Sequence, residues 1–306
     1  RVGANGLINE FLNAGIGDNR VELLCNFLLG QAENGGVQVN VLAPGEIRIE
    51  SAAEFEGIAA RAEEPPEVRR AALWQAAELY EKSGSPTNAA RTYATYVKEF
   101  PAPLDPAMDA RQKLADMAKA QNDGRARTQW ITEIIRADEQ AGAARTERSK
   151  YLAAKATLET AEPHVAIFNA VKLVAPLDRS LKTKRNAMEK VLTIYGQALD
   201  YGVAEVTTAS AFGMAELYRT LGADLLTSER PKSLDAEALE QYDVLLEEQA
   251  FPFEEKAIEL HEANAQRAKE GVYDQWVQRS FDELAKLVPG RYARTEISEE
   301  YVPTIR

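Results

Sequence analysis

Residues 70–103, RRAALWQAAELYEKSGSPTNAARTYATYVKEFPAP, leave room for little besides two amphipathic helices joined by a tight turn. In the first, Leu73, Ala76, Ala77 and Tyr80 recur at three- and four-residue spacing. That places them on one face of a helix over 67–82. Pro65 and Pro66 precede it, and proline is tolerated only in a helix's first turn. Gly84 can take the left-handed conformation that closes a helix, Ser85 is a plausible N-cap, and Pro86 can open the next helix. The second helix carries Ala89, Tyr93, Tyr96, Val97 and Phe100 on one face, and Pro101 and Pro103 stop it. Ala77 and Ala89 let the two helices approach closely, and the three tyrosines fill the wedge around the contact.

In order and spacing, Ala77, Tyr80, Gly84, Ala89, Tyr93, Tyr96 and Pro101 match the signature of the tetratricopeptide repeat, which this stretch resembles. That family is built from helix-turn-helix units of about 34 residues. Leu73 takes the family's usual first aromatic place, and Trp74 follows one residue later. The resemblance implies an all-α fold, a right-handed superhelical solenoid of antiparallel helix pairs, because one pair cannot bury its apolar face alone. A generic helical hairpin packed on alanines is the plainer alternative.

The pattern extends along much of the chain. Helices are expected over 105–121 and 125–140, 146–162 and 163–174, 178–201, 203–221, 235–249, 253–270 and 272–288. Met214, Ala215 and Tyr218 mirror Ala76, Ala77 and Tyr80, and Ala265, Phe281, Leu284 and Pro289 return at the family's spacing. Leu221 and Gly222 read as a helix end, and Pro252 as the start of the last pair. Residues 63–290 therefore form the expected repeat array. Residues 1–62 are atypical, a cap or degenerate repeat with helical patterns at 7–13, 18–31 and 51–62. Between them, 37–50 alternates apolar and polar residues around Ala43-Pro44-Gly45, a signal for a short β-hairpin. Residues 291–306 read as an extended tail or linker.

Composition narrows the function classes. The formal charge is −12, which argues against non-specific binding to nucleic acid or anionic lipid and permits basic partners. No run approaches the roughly 18 apolar residues of a membrane span, so direct insertion is not expected. The one cysteine, Cys25, lies in the apolar run VELLCNFLL and reads as a core residue. The chain begins at Arg1, and together with its length and composition this resembles a repeat segment of a larger bacterial envelope protein. A periplasmic or envelope location is favoured over the cytoplasm on that basis.

No catalytic constellation stands out. His261 sits in ELHEAN without the second histidine of a zinc helix, and His164 follows a helix-opening proline. Glu254, Glu255, Glu259 and Glu262 read as a solvated helix face. No catalytic residue, metal site or cofactor is expected, and the chain reads as a non-enzyme. If the family geometry applies, the first helix of each pair lines a concave face. That face would present Trp74, Glu78 and Glu81 in one pair and Phe212, Glu216 and Arg219 in another. These six are the candidate partner-binding residues, and the expected partner is a protein or peptide that is apolar or basic. Family members that read a C-terminal carboxylate use a lysine and an asparagine where this chain has Trp74 and Glu78, so acidic tails are disfavoured. The competing possibilities are that Trp74 and Phe212 pack inward, that the groove binds carbohydrate, or that the array is a structural spacer.

Overall fold

A computed structural model of the chain describes residues 49–294. Among the described residues every regular element is a helix and no strand occurs. The patterns at 7–13, 18–31 and 37–48 and the tail at 295–306 lie outside them. Contacts divide the chain into two compact units, Arg1–Ser149 and Lys150–Arg306.

The first unit contains α1 (Ile49–Ala60), α2 (Pro66–Lys82), α3 (Pro86–Glu99), α4 (Leu104–Ala120) and α5 (Gly124–Ala141). Each packs on the next in chain order. Ile49 and Glu50, the end of the alternating stretch, are already helical and open α1. The α2–α3 turn forms as its residues dictate. Gly84 has φ +72°, and the Ser85 amide reaches back 2.9 Å to the Tyr80 carbonyl. Ser85 stands at the N-cap position, but its side chain makes no cap bond there. Asp123 does cap α5, accepting from the Ala126 amide at 3.0 Å. The core runs across the stack: Ile58 from α1, Leu73, Trp74 and Ala77 from α2, Tyr93 and Tyr96 from α3, and Ala110 and Leu114 from α4. Ala52, Tyr80 and Ala89 form a smaller cluster where α1, α2 and α3 meet. Glu56 of α1 ties that corner, accepting from Tyr80 Oη, Arg91 and Thr92 Oγ1.

The unit boundary falls within α6 (Glu147–Glu159). The second unit continues with α7 (Glu162–Ala170), α8 (Leu177–Asp200), α9 (Ala204–Leu226), α10 (Ala236–Gln266), α11 (Gln275–Leu287) and the short α12 (Pro289–Tyr292). From α7 onward each helix packs on the next, and α11 also packs on α9. Ala161, Phe168, Met188, Val191, Leu217 and Leu221 form the main core cluster.

Three sequence expectations are corrected here. Gly222 does not end α9, which runs to Leu226. A Cβ at Gly222 would sit 3.5 Å from the Ala250 carbonyl oxygen, so this glycine is a close-packing point against α10. Pro252 does not open a helix, because α10 continues through it for 31 residues. Phe251 and Pro252 are exposed while Leu246, Ala250 and Ala257 are buried, so the missing amide falls on the solvent side. There water can serve the carbonyl that proline leaves without a helical partner. Finally, residues 289–292 turn once more as α12 rather than entering an extended tail.

Candidate functional site

The two trios of predicted partner-binding residues fall one in each unit. In the first, Trp74 is only 9% exposed and lies edge-on to Tyr93 and Tyr96, with centroids 5.4 and 5.3 Å away. Its indole Nε1 donates to Glu78 Oε1 at 2.7 Å. Glu81 accepts from Tyr93 Oη at 3.0 Å and from Lys113 Nζ at 2.9 Å. So Trp74 is a core side chain, and the two carboxylates are held in place by α2, α3 and α4.

The second trio belongs to a polar cluster where α9, α10 and α11 meet. Phe212 is 5% exposed and packs on the His261 ring at 5.4 Å and on Trp276 at 5.5 Å. The Arg279 guanidinium lies 4.3 Å over the Phe212 ring. One turn on, Glu216 takes a two-pronged grip from Arg219, at 2.9 and 2.7 Å. Glu216 Oε1 also faces His261 Nε2 at 3.5 Å, close enough for attraction and long for a hydrogen bond. Glu283 of α11 stands 3.8 Å from Arg219 on the other side. Both aromatics are thus packed, not displayed on a concave face.

Electrostatics follow from that geometry. Burial on its own would raise the Glu216 carboxyl. The approach of His261 Nε2 and the hydrogen bonds and charge of Arg219 outweigh it and hold the group at about 2. Arg219 is correspondingly pushed up, first by its bond to Glu216. Glu216 therefore stays ionised at neutral pH and cannot act there as a proton donor. Beneath this pair, Asn264 is fully buried and donates to Ser280 Oγ at 3.0 Å and to the Thr208 carbonyl at 3.2 Å. His261 Nδ1 lies 3.4 Å from the same Ser280 hydroxyl. Asp274 caps α11 through the amides of Trp276 and Val277 and also accepts from Thr208. The arrangement locks three helices through charge and hydrogen bonds.

A second buried charge was missed by sequence reasoning. Lys184 of α8 has a side chain 1% exposed, and its ammonium is fully used. It donates to the Phe168 and Val171 carbonyls at 3.0 and 2.9 Å, pairs with Asp224 at 2.6 Å and lies 4.3 Å over the Phe168 ring. It satisfies the carbonyls at the end of α7, where a cation is favoured. Its spacing from Leu181, Met188 and Val191 places it on the buried stripe, unlike the solvated lysines at 182 and 190, but that stripe does not name the acceptors it meets. No cluster of three or more potential metal ligands occurs among the described residues.

No protein-family model matches this chain, and no curated protein matches it.

Proposed function

We propose that the chain is a non-catalytic, tetratricopeptide-like scaffold whose antiparallel helix pairs stack into a superhelix and bind an apolar or basic protein segment. The supporting observation is the packing role of the signature residues. Ala77, Ala89 and Tyr93 are fully buried and Tyr80 and Tyr96 nearly so, at the α2–α3 contact where the repeat pattern needs them. Consecutive packing of α1 through α5 fits the same reading. With their rings packed, Trp74 and Phe212 act as supports. Trp74 aims the Glu78 carboxylate, and Phe212 underlies Arg279 and flanks the Glu216–His261 pair. The partner then meets the Glu78 carboxylate rather than aromatic anchors, while Glu81 and Glu216 are already paired with Lys113 and Arg219; the chain's excess of acids still suits a basic segment. A sugar-binding role in that groove loses Trp74 and Phe212 as stacking rings.

A pull-down on immobilised chain tests this reading. Recovery of a specific protein that elutes with added salt supports it. Recovery of none, or release only by free oligosaccharide, contradicts it.

A further inference from the structure

Of the seven large apolar side chains exposed among the described residues, five gather around one end of the α9–α10 pair: Val174, Leu226, Val244, Leu245 and Phe251. Val174, Leu226 and Phe251 each follow in sequence a member of a small buried cluster, Leu173, Leu225 and Ala250, on which Leu177, Leu181 and Phe253 pack; Leu245 and Phe251 are each more than half exposed. The preceding chain completes the surface. The Glu229 amide bonds the Leu173 carbonyl at 3.0 Å, and Glu229 Oε2 accepts from the Ala175 amide at 3.1 Å. Between that strap and α10 lies an open depression of about 650 Å³, floored by Pro176, Leu177, Pro231, Tyr242 and Leu245. Its only charged lining residues are Asp178 and Glu229. Isolated exposed apolar residues mean little, but Leu245 is an exposed apolar side chain that lines a depression, and that marks a place for contact.

The charge on α10 is one-sided. From residue 236 to residue 255 there are seven acids and no lysine or arginine. That stretch carries more than half of the chain's net −12. The connecting loop contributes Arg230 and Lys232, and Arg230 is already engaged with Asp243 at 2.6 Å. A second copy of the chain would bring the same acids against these, and an anionic membrane or nucleic acid would be repelled likewise. A cationic, aliphatic segment meets both requirements.

We infer that the first two-thirds of α10, with Pro176 and Leu177, is the docking surface for a protein segment that interleaves aliphatic side chains with lysine or arginine. Leu245 and the depression beside it take the aliphatic side chain. Asp178 and Glu229 line it with negative charge, and Glu247 and Glu248 follow Leu245 on the exposed part of α10. This names a partner-facing surface for the scaffold proposed above and rests on that reading, but it uses none of the six residues named from the repeat pattern.

The test is selection from a random peptide library on the immobilised chain, followed by affinity measurement on variants. Selected peptides should be rich in leucine, isoleucine or valine next to lysine or arginine. Leu245→Ser should weaken them at least tenfold. Glu247→Lys with Glu248→Lys should do the same and flatten the salt dependence. All three positions are exposed, so circular dichroism should match the parent. Peptides that bind the α10 variants at full strength but are lost on Glu78→Lys would overturn this surface and leave the scaffold reading standing. Acidic or uncharged selected peptides would also overturn it, as would a dimer of the chain that Leu245→Ser breaks. No selected peptide at all would overturn both readings.

Discussion

Glu216 and Lys184 show what single side chains do here. Glu216 is held at about 2 against an ordinary 4.5, so its contribution is fully present above the ordinary value and is lost as pH falls through about 2. The shift corresponds to about 3 kcal/mol at most. Glu216→Gln should lower stability at neutral pH and remove much of the loss that the parent suffers between about pH 4.5 and 2. Urea midpoints across that range check it, and parallel curves for parent and variant would contradict the geometry. Lys184 sits in the core with two carbonyls and a carboxylate on it. Lys184→Met keeps the volume but leaves those acceptors unmet, and should cost about 3 kcal/mol. A cost below about 1 kcal/mol in chemical denaturation would mean that water reaches these groups. The helix stripe puts Lys184 inside, but the acceptors it meets there were not legible in the sequence, nor was the role of Glu216. His261 has no partner within its own helix that suggests Glu216, and the two meet only because α10 lies along α9.

At the scale of the element, close approach is the controlling feature. Ala89 is fully buried against Ala52 and Tyr80, so Ala89→Leu overpacks the meeting of α1, α2 and α3 and should cost about 1–3 kcal/mol. The exposed α1 substitution Glu54→Ala should stay within about 0.5 kcal/mol. Glu81→Ala is not so neutral, because it frees Lys113 and Tyr93, and should fall near 1 kcal/mol. Equal midpoints for all three would place Ala89 away from a helix contact. A Cβ at Gly213 of α9 would come 2.6 Å from the Tyr195 ring of α8. Gly213→Ala should therefore destabilise the parent, yet gain about 1 kcal/mol when Tyr195→Ala has removed the ring. Additive effects of the two changes would contradict the contact. The pairing of α2 with α3 was readable because small and aromatic residues recur at helical spacing. Gly222 and Pro252 misled for a common reason. Each looks like punctuation locally, while α9 and α10 continue through them with neighbouring residues buried.

At the largest scale, the helical character of the described residues and the order of their helices were legible, since periodicity reports which residues share a face. What covers that face was not. Leu245 belongs to an apolar stripe with Leu239, Tyr242 and Leu246, yet Leu246 is buried and Leu245 is exposed. For Trp74 and Phe212 the sequence left open whether the rings face a groove or pack inward, and they pack inward. The net charge was legible from composition, but its concentration on α10 gains meaning only beside the exposed apolar set. The most direct test of an acidic, non-catalytic docking scaffold is the binding kinetics of the protein recovered by pull-down, measured at low and high salt. Association should slow steeply with salt while dissociation changes little. An affinity indifferent to salt, with association unchanged, would contradict the docking of a basic partner on this chain.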